Sequence, residues 1–494
     1  MDYEPLLLLN ERKNAIFHEL GITMPPQRKM VLMDGHGVLS VGKTLPHPNI
    51  RLAWAPITLG RLLRFSASDA VRKEKDRLLD AFNALDKTSV SSLDNQALYD
   101  HVTHAVDLAM QWTSLRFRAY VFPMVLTGFR FGRLLSKAKS PGQVITPYDF
   151  LAGLDYKTAE IEHALYRLAE QLDSMPAARR LFLGGNPEDI GTMLERDPEY
   201  HAAYGSVAGF LREYGARTMK AYTPFSAESW AERPALLFSA LTSILKAGGV
   251  HKTLEQQRNG AGRFIDLKDK MNRQLPKTKR KRFDRLLGQF RSAHMGREEL
   301  VFRMEQCYVV ARRGVAEAAQ RLHGRGVLAE PDDIRYLTLH ELGRVMADAP
   351  DSRALLESAA TRKAHRFLAE RAWNTPLKEG EGDRSDMLHG LSASPGIIKG
   401  PVRIIRGPDE FNLLQKGEVL VCRFTDPVWT PLFSVACAVV CDTGGPLSHA
   451  AIVAREYGMP AVLGVGNATA MLANGDEATV DGGRGTIKIR RPSR

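Results

Sequence analysis

Cysteine is scarce: four residues in a chain of 494. That excludes a disulfide-stapled scaffold. Cys437 and Cys441 have no second Cys/His pair at ligand spacing, so they read as inert buried thiols rather than zinc ligands. Long apolar runs are also missing. The uncharged stretch Ala119–Phe129 falls far short of the roughly 20 residues that span a bilayer. The start, Met1-Asp2-Tyr3-Glu4-Pro5, carries acids, and its apolar run Leu6–Leu9 is shorter than the about 7–15 residues of a signal peptide. No membrane association is expected, and the location expected is cytoplasmic. There is no P-loop, and no GxGxxG follows a strand in the helical segment. Wholesale disorder is excluded by a composition of 44% hydrophobic and 25% charged residues.

What the chain does have is positive charge, a formal +12 from 68 Lys+Arg against 56 Asp+Glu. It is concentrated. Lys268–Arg285 holds nine basic residues and two acids, whereas Leu388–Arg494 holds eleven against nine. The basic run admits three readings: a solvated loop or helix face, a docking surface for a partner or its nucleotide, or a nucleic-acid patch. It has one aromatic, Phe283, and no nucleic-acid-binding motif beside it, so no nucleic-acid partner is expected.

Periodicity divides the chain. Two β-type runs, Met30–Met33 and Val38–Val41, flank Asp34–Gly37 and predict a hairpin. From about residue 65 to 375 the pattern is helical; Ile161, Leu165, Leu168 and Leu172 mark one helix face. Residues 376–387 are polar, Gly-containing and aperiodic, a linker. Beyond them, short β-branched runs between glycines surround one helix, Leu447–Tyr457, which stops before Gly458. The fold class expected is multidomain: a large mainly α-helical domain over 1–375 with short β elements in 1–60, then a small α/β domain over 388–494.

Chemistry is concentrated in Thr443-Gly444-Gly445-Pro446-Leu447-Ser448-His449. A strand runs into a Gly-Gly turn and a helix begins at once. Glycines allow close backbone approach, and the first helix N–H groups lack internal partners at the positive end of the dipole. Together they make a phosphate-sized anion site. His449 falls in the first helical turn beside it, where a neutral imidazole can attack phosphorus. Thr443, Gly444, Gly445 and Ser448 are the candidate phosphate-binding residues, the two hydroxyls flanking the site. No metal-ligating set is readable.

This stretch resembles the phosphohistidine swivelling domain of the phosphoenolpyruvate-utilising enzymes, such as phosphoenolpyruvate synthase and pyruvate phosphate dikinase. Leu391–Gly396, Asp426–Phe433, Gly458–Val462 and Val480–Gly485 extend the resemblance over about 100 residues. The resemblance implies that His449 carries a phosphoryl group and that the domain swings on its linker. No ATP-grasp domain and no phosphoenolpyruvate-binding barrel is readable, the latter taking about 250 residues. Phe210–Arg217, Trp230–Pro234 and Arg325–Leu339 resemble the acceptor-binding domain of rifampicin phosphotransferases, with Ala216 where those enzymes carry His and Met219-Lys220-Ala221 where acids follow. Rifampicin is therefore not the expected acceptor. Tyr214 and Arg217 either shape an acceptor site or close a helix end. Phenylphosphate synthase, with ATP-grasp and histidine parts on separate chains, offers the matching layout.

The activity implied is that of a phosphotransferase component. A separate ATP-grasp subunit, with ATP and Mg²⁺, would charge His449, and the group would pass to the hydroxyl of a small aromatic or apolar acceptor. The alternative is a non-catalytic regulatory protein switched by phosphorylation of His449; a degenerate resistance-type protein is a third reading. Two further features have bland readings. The aromatic-rich Arg116–Phe131 reads as core helix before acceptor pocket, and Arg297, Glu298 and Glu299 as a solvated helix face before a general base.

Overall fold

The computed structural model describes residues 22–23, 31–33, 36–38, 47–48, 65, 68–136, 145–218, 225, 227–246, 250–374, 386–445 and 448–490. Four short strands come first: β1 (Ile22–Thr23), β2 (Val31–Met33), β3 (His36–Val38) and β4 (His47–Pro48). The expected hairpin is present, with Val31 opposite Val38 and Met33 opposite His36. Twelve helices follow among the described residues: α1 (Asp69–Asp86), α2 (Asn95–Arg116), α3 (Phe122–Leu135), α4 (Lys157–Asp173), α5 (Pro176–Gly184), α6 (Pro187–Arg196), α7 (His201–Tyr214), α8 (Pro234–Lys246), α9 (Val250–Gln274), α10 (Lys277–Gly324), α11 (Leu339–Met346) and α12 (Ser352–Asn374). The helical assignment of this long segment is thus borne out.

The chain forms two compact units. The first comprises 1–126, 220–227 and 296–376, and the second 127–219, 228–295 and 377–494. In the first, Leu98, Val102 and Ala105 of α2 pack with Ala311, Val315 and Ala318 of α10 and with Leu342 and Val345 of α11. These recur at helical spacing, which makes one apolar stripe per helix. α11 starts with a reciprocal cap: Glu341 N–H donates to the Thr338 hydroxyl, and Thr338 N–H donates to Glu341, which also pairs with Arg362. Arg297, Glu298 and Glu299 belong here and correct one expectation. Arg297 and Glu298 form a largely buried pair at 2.6 Å, and Glu299 holds Lys75 at 2.6 Å, so this is not a solvated face.

In the second unit, α4 packs with α5, α7 and α8. α8 is apolar nearly all round and is buried from Ala235 to Leu245, as such a helix must be. Its other side is covered by two 3₁₀ turns of the C-terminal region, Pro408–Leu413 and Pro427–Ser434. Phe131, expected as core, is fully buried against Phe150, Phe283 and Phe290, while Phe129 is exposed.

The C-terminal region is an eight-stranded mixed sheet: β5 (Met387–His389), β6 (Leu391–Ser394), β7 (Ile397–Ile404), β8 (Val419–Cys422), β9 (Ala438–Cys441), β10 (Ala461–Leu463), β11 (Glu477–Asp481) and β12 (Thr486–Arg490), in the spatial order β5-β12-β11-β7-β8-β9-β10-β6. Helices α13 (His449–Tyr457) and α14 (Ala468–Met471) cross between strands. β7, β8, β9 and β10 pair in parallel. β8, β9 and β10 are buried at every position, which is why each reads as an unbroken apolar run. Val402, Val421, Val440 and Val480 centre a core that belongs wholly to this region. The mainly helical N-terminal part and small α/β C-terminal part match the expected fold class. Two boundaries shift. α13 begins at His449 rather than Leu447, with Ser448 as its N-cap, and Met387, placed in the linker by its composition, belongs to β5. Residues 376–385 of that linker lie outside the described residues.

Candidate functional site

β8 and β9 run side by side with Cys422 opposite Cys441. Their carboxyl ends therefore release two loops at one edge, the usual place for ligands on parallel strands. The loop after β8 carries Thr425 and the 3₁₀ turn Pro427–Ser434; the loop after β9 carries Thr443–Ser448 and then α13. Buried Asp442 fixes the second loop: one of its carboxylate oxygens accepts from Thr469 N–H at 2.9 Å, and its carbonyl accepts from Gly466 N–H at 2.8 Å. Gly444 sits at φ +130°, where a side chain is strained, so the turn demands glycine there.

His449 is the first residue of α13 and is half-buried. Its ring is held on both nitrogens. The Thr425 hydroxyl lies 3.0 Å from Nδ1 and the Thr430 hydroxyl 3.1 Å from Nε2. Phe433, fully buried, sets its ring perpendicular to the imidazole at 5.9 Å between centroids. A neutral imidazole offers one N–H and one lone pair, and a hydroxyl can serve either role. This pair of threonines fixes the ring plane in whichever tautomer is present.

The hydroxyls singled out from the motif are engaged differently. Thr443 is exposed and donates to the Arg423 carbonyl at 3.1 Å; Ser448 donates to the Gly445 carbonyl at 2.8 Å, closing the turn. Gly444, Gly445 and Ser448 bring the chain to the helix start, while the hydroxyls on the imidazole come from Thr425 and Thr430. Sequence reading assigned these two no role. Thr430 stood within the matched segment Asp426–Phe433, and its place after a strand in a hydroxyl-bearing turn was the available signal.

α13 ends at Gly458, φ +64°, and Met459 N–H returns to the Ala454 carbonyl at 2.8 Å. This end lies against the helical part of the same unit. Tyr156 donates to Glu456 at 2.7 Å, the Tyr166 and Tyr457 hydroxyls are 3.0 Å apart, and Tyr457 donates to Glu162. Burial first, then the neighbouring Glu456 charge, outweighs the Tyr457 hydrogen bond and pushes Glu162 up to about 8.

Tyr214 and Arg217 are both buried within the helical part. Tyr214 donates to Glu160 at 3.1 Å, with Lys157 5.1 Å from its ring centroid, and Arg217 donates to Thr158 at 3.0 Å. Burial and the adjoining Glu213 and Glu160 push the Tyr214 phenol up. Both residues tie the end of α7 to α4. Cys422 and Cys441 face each other with sulfurs 3.5 Å apart, and burial raises the Cys422 thiol, which leaves it a thiol rather than a thiolate. Among the described residues, no helix is long and apolar enough to cross a membrane.

Comparison with known proteins covers both parts. Residues 414–485 match the PEP-utilising enzyme mobile domain, and residues 116–298 match the rifampicin phosphotransferase fourth domain. An uncharacterised phosphotransferase of Bacillus subtilis is 29% identical over 394 residues, covering 75% of this chain and 46% of the relative. Rifampicin phosphotransferase of the same organism is 31% identical over 301 residues, covering 58% and 34%. A probable phosphoenolpyruvate synthase of Staphylothermus marinus is 50% identical over 103 residues, covering 20% and 12%. The chain thus spans less than half the length of these curated relatives.

Proposed function

From a chain that joins a PEP-utilising mobile domain to a rifampicin phosphotransferase fourth domain, we propose a phosphotransferase component that carries a phosphoryl group on His449. The carrying observation is the imidazole at the first position of α13, beside a glycine turn, with hydroxyls on both nitrogens. Its lone-pair nitrogen attacks phosphorus: an N–P bond forms and the bond from phosphorus to the leaving oxygen breaks. The hydroxyl displaced from that nitrogen turns to donate to a phosphoryl oxygen. The N–H groups at the helix start and glycine turn stabilise the added charge. The other threonine keeps the remaining ring nitrogen oriented.

The donor is an ATP-grasp partner, and Mg²⁺ accompanies the nucleotide there. ATP and water yield AMP, phosphate and phosphohistidine. The C-terminal domain then carries the group to the helical domain, where a small aromatic or apolar alcohol or phenol accepts it. Support for this route comes from the two matched domains and their order in the chain.

The test has two arms on the full chain. The first uses [β-³²P]ATP and an ATP-grasp partner. The second uses phosphoramidate, which donates without any partner. Acid-labile, base-stable label is expected on the wild type in both and absent from His449→Ala. Label on the variant at wild-type level sinks the assignment. Label that no phenol or alcohol ever receives favours the regulatory alternative.

A further inference from the structure

The contact between α13 and α4 holds a feature that phosphoryl transfer does not use. Glu162 is buried, and it receives the Tyr457 hydroxyl from the opposite helix. Tyr457 in turn meets Tyr166, one turn along α4 from Glu162. Beside them Glu456 accepts from Tyr156, and its backbone carbonyl accepts from Arg263 of α9. His294 of α10 packs its ring edge-on to Tyr156 at 5.0 Å. The charge acting on the Glu162 carboxyl is that of Glu456, a second acid; Arg263 offsets Glu456 rather than Glu162. A carboxyl shut from water beside a like charge binds a proton more tightly.

We propose that Glu162 is a proton-linked latch: seating α13 on α4 takes up one proton at its carboxyl, so acid holds the phosphohistidine domain on the helical domain and alkali releases it. This rests on the swinging domain of the proposed function. When the domain leaves, Glu162 meets water and ionises at ordinary pH. When it returns, the acid form is favoured, and Tyr457 donates to its carbonyl oxygen. The apolar cover over α8 supplies attraction at every pH, and Glu162 makes that attraction pH-dependent.

The sign follows from linkage. The docked carboxyl titrates at about 8 and the released one near 4.5. Docking is therefore strongest below the released value. It weakens by up to about tenfold for each pH unit between the two and levels off above the docked value, because one proton is exchanged.

Energy transfer between dyes at Ser174→Cys and Lys488→Cys, both exposed positions, reads the docked fraction in the full chain. From pH 6 to 8 the docking constant is expected to fall roughly fiftyfold, as one linked proton that titrates at the upper end of this range requires, and to flatten beyond. Glu162→Gln keeps an acceptor for Tyr457 but cannot ionise, so its docking should be independent of pH over this range. Tyr457→Phe should dock more weakly at every pH and keep the slope. A wild type that never releases up to pH 9.5, or a Gln variant with an unchanged slope, overturns the latch. The His449→Ala chain should give the wild-type titration, so a failed phosphorylation assay with an intact titration removes the proposed function and leaves the docking device.

Discussion

At His449 the imidazole is positioned by two short side chains from another loop. Thr430 is buried and holds Nε2, and Thr425 is partly exposed and holds Nδ1. Thr430→Val keeps the shape and removes the hydroxyl. Losing one net hydrogen bond of about 1–1.5 kcal/mol should slow phosphoramidate loading roughly tenfold. Thr430→Ser should restore most of it, with the melting temperature little changed in both. Equal loading by the Val variant, followed by mass spectrometry, would show that the hydroxyl does not orient the ring. The motif around His449 was legible because it is contiguous: a strand, two glycines and a helix start need no partner to be recognised. Thr425 and Thr430 were not, because the β8–β9 register brings them to the ring, and no local pattern encodes which strand lies next to which.

At the scale of elements, apolar periodicity gave α4, and the unbroken runs gave β8, β9 and β10. The start of α13 was placed two residues early because apolar patterning does not mark the cap, which falls at Ser448. Its end was legible in Gly458. There φ is +64°, and an added Cβ would also meet the Arg263 guanidinium. Gly458→Ala is expected to destabilise the C-terminal domain by about 1–2 kcal/mol, the cost of a side chain in the left-handed region. Urea unfolding of the full chain should show it. The variant should also loosen docking in the dye experiment, since the Arg263 contact sits at this residue. Stability equal to wild type would mean that the helix end relaxes into another turn. Burial on both sides of α8 was beyond sequence reading, since an apolar helix does not say what covers it.

Over the whole molecule more than half of the formal charge of +12 gathers in one run. The end of α9 and the start of α10 carry it, and the structure gives that run a fixed presentation. Phe283 is fully buried, 5.6 Å from both Phe131 and Phe150, so one side of the run is anchored. Arg273, Lys277, Lys281, Arg282 and Arg285 are exposed on the other side. The His449 domain is nearly neutral by contrast, so the proposed phosphoryl site there does not draw on bulk charge. On the proposed route, in which a separate chain supplies the phosphoryl group, a basic surface anchored in this way suits the docking of an acidic partner, and charge of this kind acts chiefly on the rate of encounter. Reversing Lys277, Lys281 and Arg282 to Glu together should slow labelling by the ATP-grasp partner about tenfold at low salt, through lost steering. The difference should shrink as salt rises, because exposed charges are screened over about 10 Å at 0.1 M. Phosphoramidate loading of the same variant should stay at the wild-type rate, since no partner is involved. Slowing in both arms would place the fault in folding or in His449 itself. No slowing in either would leave the run as a solvated face.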